Sequence, residues 1–461
     1  MSSKKQPVGY LPDERPPVVE LFLFALQQIV VMFPATVLVA LITGFHVSTT
    51  IFASGLATLC FIFITGRKIP LYYGSSFSYI AAIASIMAAE QFSAYSLNDK
   101  ISTAQFGIVM SGFVSIIAGM LIQRSGRKTI DKVLPATVTG SIAMIIGLSL
   151  AANAMGNAAA IPSATVEAQT TLASSMAWIV ALVTLFSTIL YSVYLKGKLS
   201  QLPILFGLFT GYACAAIIGA ITGIPFISFH GVDSTTLFAL PVFTFPKPSW
   251  AAVIAIMPIA IATIPESTAH VYQLDIYVND LAKKKGSTKK YNIADKLGLN
   301  LIGDGIGDII SGFIGGPAGT NYGENISTMA ISKVFSIPVL MTAAVLTMFI
   351  SCFTPLINVV YSIPSSVIGG LSIYLYGVIA AQGITIMMDR KVDMFKSKNL
   401  AVIAIILIIG LGGSYGFAGN GMIPMFGKEF PALASAAVVG IVLNLVLNIG
   451  NKEEDITLTA E

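Results

Sequence analysis

Gly319-Thr-Asn-Tyr-Gly-Glu-Asn325, read beside Tyr73-Gly-Ser-Ser-Phe77, decides how this chain folds. Each is a short polar run, interrupted by glycine, between long apolar stretches. Crossing the roughly 30 Å of bilayer hydrocarbon takes about 20 apolar residues in a helix. The stretches 71–89 and 317–334 around these runs are too short and polar for that. Each reads as an extended segment leading into a short helix, tolerated at membrane depth only where the open backbone lines a cavity. Tyr73-Gly74 matches Tyr322-Gly323 at an offset of 249 positions, and Gln27-Gln28 precedes Glu266 by a similar 239. Seven spans separate each member from its mate. Seven is odd, so the two halves run in opposite senses through the membrane, the inverted-repeat plan of secondary transporters.

Composition sets the class. Of 461 residues, 55% are apolar and 10% charged, with a mean hydropathy of +0.83. A soluble globule of this length is not so apolar. The expected fold is an all-α polytopic membrane protein of fourteen transmembrane segments, arranged as two inverted seven-span repeats with short extended stretches in spans 3 and 10. The spans read near 17–44, 47–66, 71–89, 105–123, 133–155, 174–195, 203–224, 250–280, 295–316, 317–334, 336–361, 364–383, 398–416 and 431–450. With the N-terminus inside, 23 of the 26 Lys and Arg residues fall in cytoplasmic segments, including six from Lys283 to Lys296. Only Lys100, Lys247 and Lys428 fall outside. This is the positive-inside asymmetry, with both termini cytoplasmic in a multi-pass protein of the cell membrane. The net charge of +4 then reports orientation rather than affinity for nucleic acid. The first span carries Gln27 and Gln28 in its middle and reads as a retained anchor, not a cleaved signal. Cys60, Cys214 and Cys352 lie in apolar spans without metal spacing and read as packing residues. The piece 225–249 is expected outside, along the interface.

Two glutamates stand where hydrocarbon disfavours them. Glu266 follows the uncharged stretch Trp250–Pro265, and Glu324 ends the short polar run. An ionisable group at membrane depth costs about 2.5–3.5 kcal/mol and is usually kept for a task. His270 is four residues after Glu266, on the same helix face and close enough for a hydrogen bond. A carboxylate accepts from the two N–H groups of a uracil-like or xanthine-like imide better than an amide does, and histidine exchanges a proton near neutral pH. The bland alternatives are that Glu266 satisfies a helix break after Pro265, that His270 faces water, and that Glu324 stabilises a helix N-terminus. Asp304 and Asp308 share a face of the ninth span. Asp308 is expected to bond the backbone of the broken tenth span, while Asp304 could do the same or join a proton relay. No catalytic set, H-E-x-x-H metal site, phosphate loop or channel filter is present in the sequence. No enzyme activity, cofactor or metal is expected.

At these residues the chain resembles the nucleobase–cation symporter-2 (nucleobase–ascorbate transporter) family, and most nearly its bacterial uracil permeases. The resemblance runs through Leu26-Gln27-Gln28, Met32–Val39, Ile69-Pro70 with Gly74–Phe77, Glu266-Ser-Thr-Ala-His270, Thr320–Asn325 and Leu375–Ile379. It implies a core domain of spans 1–4 and 8–11 (17–124 and 250–361) and a gate domain of spans 5–7 and 12–14 (125–249 and 362–450). It also implies a cytoplasmic N-terminal segment, 1–16, a tail, 451–461, and a homodimer formed through the gate. Glu266 and Glu324 would bind the base, with His270, the backbone at Phe77 and Gly323, and Ala35 completing the pocket, and Tyr376 facing it from the gate. The family's Gln-His in the first span is Gln27-Gln28 here, and its Asn-x-Gly-x-x-x-x-Thr-Arg reads Asn325-Ile-Ser327 and then Ser332-Lys333. Asp304 leans toward the purine members; Glu324 and His270 lean toward uracil.

The expected function is proton-coupled import of uracil by an elevator-like slide of core against gate, with Glu324, Glu266, His270 and Asp304 as the protonation candidates. The alternatives are a purine (xanthine, urate or guanine) permease of the same family and a sulfate-permease-like anion transporter. The partners expected are the base, protons, the bilayer and a second copy of the chain.

Overall fold

The computed structural model describes residues 9–125, 133–163, 165, 167–196, 199, 202–229, 236–417, 421–425 and 427–449. The tail 451–461, His230 and the first eight residues of the N-terminal segment lie outside these.

Ten helices among the described residues are long and apolar enough to cross a membrane, so the chain has a mostly helical, polytopic membrane fold. The first half runs α1 (Val18–Thr43), α2 (Val47–Ile64), β1 (Tyr73–Ser75), α3 (Ile80–Ala88), α4 (Leu97–Ser125), α5 (Ala136–Ser149), α6 (Ala151–Ala159), α7 (Thr170–Tyr194) and α8 (Pro203–Thr222). The second runs α9 (Trp250–Ile256), α10 (Ile259–Lys284), α11 (Leu297–Ile314), β2 (Gly319–Asn321), α12 (Gly323–Ser332), α13 (Ile337–Ile350), α14 (Thr354–Tyr361), α15 (Ser365–Asp389) and α16 (Ser397–Gly416). A hairpin of β3 (Met422–Met425) and β4 (Lys428–Pro431) precedes α17 (Ala432–Asn448).

Three spans read as continuous helices are broken. The span 133–155 divides at Leu150, and 250–280 divides at Met257-Pro258, where Pro258 has no N–H to continue the ladder. The span 336–361 divides after Ile350 and restarts at Thr354, with proline in its first turn. The hairpin corrects an all-α reading: Met422 to Met425 pairs with Lys428 to Pro431, and Gly427 takes the left-handed φ of +71° that the turn needs.

The helices pack reciprocally. α4 lies along α11 while α13 lies along α2, and α1 meets α13 as α9 meets α4. The α4–α11 approach is backbone-close: a Cβ on Gly112 would sit 2.4 Å from the Gly305 carbonyl, and one on Gly305 would sit 2.4 Å from the Gly112 carbonyl. Small residues of this kind drive helix contact where lipid removes the hydrophobic contrast. On the other side, α15 packs on α5, α6 and α7, and α16 packs on α5 and α17.

At the centre β1 and β2 pair antiparallel, Tyr73 opposite Asn321, Gly74 opposite Thr320 and Ser75 opposite Gly319. The helical turns that follow begin at Phe77 and Gly323. Equivalent positions are therefore 246 apart, and the Tyr-Gly match at 249 falls three residues out of register. Flanking helices hold the strands in the same way. Thr58 of α2 accepts from the Tyr73 N–H at 3.1 Å, and Asp308 of α11 accepts from the Gly319 N–H at 2.8 Å.

Each strand glycine supports an aromatic ring. A Cβ on Gly74 would meet the Tyr322 ring at 2.4 Å, and one on Gly319 would meet the Tyr73 ring at 2.2 Å. Tyr322 cannot retreat, because its hydroxyl donates to the Ser75 carbonyl at 3.0 Å and lies 2.9 Å from Thr36 Oγ1. Gly74→Ala is expected to destabilise by about 1–3 kcal/mol through overpacking. Gly377→Ala, where nothing lies within 4 Å, is expected to be neutral or mildly stabilising. Thermal unfolding of both variants in detergent checks the contrast, and equal midpoints would refute it.

Candidate functional site

The site grows from the β1–β2 seam. Antiparallel pairing sends the two short helices away in opposite directions, with their N-termini close to one another. Ser76 caps the first, accepting from the Ser78 N–H at 3.3 Å, whereas the second has no side-chain cap. Glu324 stands in the first turn of α12, with its carboxylate against its own backbone N–H. A helix N-terminus favours negative charge there.

Glu266 comes from α10, immediately after Pro265 inside the helix. Its Oε2 accepts from Ser78 Oγ at 3.3 Å, and it lies within electrostatic reach of Glu324. His270 does not bond to Glu266, contrary to the expectation from their spacing. Its ring turns instead to the backbone of the broken tenth span, near Asn321, and a Cβ on Gly323 would come 2.9 Å from its Nε2. The α10 face is shared, but Ser78 takes up the Glu266 carboxylate and the tenth-span backbone takes up the His270 ring. His270 Nδ1 is buried and unpartnered.

Exposure outlines a cleft. Phe77, Glu266, His270, Gly323 and Glu324 are half-buried, while Ser76, Ser78, Pro265, Ser267, Tyr322 and Asn325 around them are buried. Phe77 meets Tyr376 of α15 edge-on, with ring centroids 6.0 Å apart. Tyr376 Oη is buried near Ser372 Oγ, and neither makes a hydrogen bond of ordinary geometry. Ala35 is buried in α1, in the apolar cluster that also holds Tyr322 and Ile264. Phe77, Gly323, Glu324, Glu266 and His270 thus lie along the β1–β2 seam, with Tyr376 against Phe77 and Ala35 in the apolar cluster that holds Tyr322.

A polar layer backs the cleft. Asp304 accepts from Ser267 Oγ at 2.8 Å, Asn300 Nδ2 at 3.0 Å and Asn321 Nδ2 at 3.0 Å. Ser267 follows Glu266 directly, so Asp304 is one side chain behind the cleft. Asp308 accepts from Tyr73 Oη at 2.5 Å as well as from Gly319, the backbone-holding role its sequence position suggested. Gln28 takes both bonds of the Asn325 amide, at its carbonyl (3.0 Å) and at its Oε1 (2.8 Å). Sequence alone assigns Ser78, Asn300 and Asn321 no role and Tyr322 only a place in the repeat. Ser78 was within reach, since it is the 246-position counterpart of Glu324. Among the described residues no cluster of His, Cys, Asp or Glu could hold a metal ion.

Membrane-length helices surround two half-helices that meet beside acidic side chains, a polar cleft inside a polytopic membrane protein. A family model described as the permease family matches residues 19–419, and the chain belongs to this nucleobase–cation symporter-2 family. The uracil permease of Escherichia coli (strain K12) is 34% identical over 452 residues, covering 97% of this chain and 96% of that one. The uracil permease of Bacillus caldolyticus is 34% identical over 445 residues, covering 94% of each. Among solved structures, SLC26A9 aligns with a TM-score of 0.63 at 14% identity, over 93% of this chain. The chain spans 65% of that longer protein, and the likeness concerns the fold alone.

Proposed function

We propose that the chain imports uracil together with protons. The observation that carries this reading is the convergence of Glu266 and Glu324, from α10 and α12, on one half-buried cleft. Two carboxylates offer acceptors to the two ring N–H groups of uracil. The Phe77 ring gives the flat base an apolar face, and the backbone at Phe77 and Gly323 offers further polar contacts. His270 and Ala35 complete the pocket, and Tyr376 closes it from the gate. The names of the relatives, uracil permeases at 34% identity, support this base over a purine. An anion transporter on the same scaffold is disfavoured because two carboxylates would repel its substrate.

Protonation of Glu324, or of Glu266 with His270 as relay and Asp304 behind it, neutralises a charge that resists passage through a low-dielectric path. The loaded core then slides past the gate. In this reading the chain makes fourteen spans in two inverted sevens, with core segments 17–124 and 250–361 and gate segments 125–249 and 362–450. The reciprocal packing of α4 on α11 and α13 on α2 supports it. The protein is a homodimer through its gate, in the cytoplasmic membrane, with both termini inside.

Uptake of labelled uracil into proteoliposomes tests the reading. For one proton per base, a gradient of one pH unit, acid outside, supports about tenfold accumulation. Glu324→Gln, which also loses one acceptor for the base, is expected to take up uracil weakly and without any response to the gradient. Wild-type uptake indifferent to the gradient would remove proton symport, and strong competition by a purine panel would replace uracil with a purine.

A further inference from the structure

We infer that residues 9–17 form a strap that positions the substrate site by tying together the ends of the three helices that carry it. The inference rests on the uracil reading above. The strap leads directly into α1, the helix of Ala35, and Tyr10 Oη donates to Glu20 of that helix at 2.7 Å. This bond pushes the Tyr10 hydroxyl up to about 12, so it remains a donor at any physiological pH.

On the second side the strap grips the end of α12, the half-helix of Glu324. That helix closes at Lys333 in the left-handed conformation, with φ of +58°. The Tyr10 N–H donates to the Lys333 carbonyl at 2.8 Å, and the Phe335 N–H returns a bond to the Tyr10 carbonyl at 2.8 Å. The Ile337 N–H donates to the Pro12 carbonyl at 3.0 Å and Ser336 Oγ to the Glu14 carbonyl at 2.6 Å. On the third side is the end of α10, the helix of Glu266 and His270. Lys285 Nζ, one residue past it, donates to the Gly9 carbonyl at 2.8 Å and to Glu14 Oε2 at 2.6 Å. Leu11 is buried in the same apolar cluster as Ala35, Ile264 and Tyr322.

The contacts differ in weight. The Asp13–Lys289 pair is more than half exposed on both sides and contributes little. The backbone pairing and the Lys285 contact are less open to water, and they are made possible by Gly9. That residue has φ of +130°, and a Cβ there would lie 2.3 Å from the Lys333 carbonyl oxygen. A side chain at position 9 would therefore lift the strap off α12. Binding groups must be held to within about 0.5 Å, so a shift at the far end of a ten-residue helix reaches Glu324 at its start.

The test is a comparison of uracil uptake kinetics for wild type, Gly9→Val, Lys285→Ala and Asp13→Asn. Gly9→Val and Lys285→Ala are expected to raise KM about tenfold and about threefold with Vmax, per folded transporter, within twofold; Asp13→Asn is expected to change KM less than twofold. Loss of Vmax at unchanged KM in Gly9→Val and Lys285→Ala would mean the strap serves folding only and would overturn the inference. An effect of Asp13→Asn as large as that of Gly9→Val would overturn it too. If wild type saturates with another nucleobase, the same comparison is made with that base. Absence of saturable uptake of any base by wild type would bring down the functional reading itself, a result distinct from unchanged KM in the variants.

Discussion

Glu266→Gln is expected to weaken uracil binding by at least about a hundredfold while leaving the protein folded. The substitution keeps the volume and one carbonyl oxygen, so packing around Pro265 and Ser267 is undisturbed. What changes is the hydrogen-bond sense. A carboxylate presents acceptors only, and the amide replaces one with an N–H group that would face an imide N–H. A hydrogen bond to a charged group contributes about 1.5–3 kcal/mol, and a buried donor left without a partner costs about 1–3 kcal/mol more. Their sum, about 2.5–6 kcal/mol, brackets the roughly 2.8 kcal/mol that a hundredfold change in affinity requires and lies mostly above it. Ser78, which donates to Glu266 at 3.3 Å, can bond the amide oxygen instead, so the unliganded protein loses little. Titration calorimetry of the purified variant measures the affinity. Near-native binding by a variant with a normal melting temperature would remove Glu266 from the pocket and with it the observation on which the proposed function stands.

Glu266 and Glu324 were legible in the sequence because an ionisable side chain in an apolar run is rare, and the reason for its rarity is energetic. The break at the tenth span was legible for a similar reason: Gly319–Asn325 is too polar for hydrocarbon and too rich in glycine for a helix interior. Register was harder. Identical Tyr-Gly dipeptides suggested an offset of 249, but pairing of Gly74 with Thr320 and the helix starts at Phe77 and Gly323 give 246. A strand pairing depends on contacts between residues far apart in the chain, which one sequence does not display. That three-residue slip hid Ser78, the partner of Glu266.

His270 failed for a related reason. Spacing of four residues puts two side chains on one face, but what each one bonds depends on what the neighbouring element offers. Here Ser78 and the backbone near Asn321 are the partners taken instead. The strap went unread because Gly9–Pro17, with two acidic residues, one arginine and three prolines, has the composition of a loop. Its partners at Lys285 and Lys333 lie some 270 and 320 positions away. The β3–β4 hairpin went unread because glycines in a short connection fit many turns.

Asp308→Ala is expected to lower the unfolding midpoint in detergent more than any other single change discussed. Asp308 is buried, and its Oδ1 accepts from Tyr73 Oη at 2.5 Å and from the Gly319 N–H at 2.8 Å. Alanine leaves both donors without a partner inside the core, at about 1–3 kcal/mol each. Removing a buried carboxylate relieves its own desolvation cost, which offsets part of this loss. The net expectation is about 2–4 kcal/mol, or on the order of 5 °C or more in the midpoint. Both donors end on Oδ1, so Asp308→Asn can keep its amide oxygen there for both of them and is expected to lose only the extra strength of a charged acceptor, well under half as much. The ranking is informative because both bonds end on the strands that set the spacing of the two half-helices. Tyr73 and Gly319 are the residues that bring Phe77 and Glu324 into the same cleft, so the folded fraction of Asp308→Ala should bind uracil weakly even though no binding group has been altered. Wild-type stability in Asp308→Ala would show that α2 holds the seam by itself, through Thr58 and through Ser54, whose Oγ donates to the Tyr73 carbonyl at 2.7 Å.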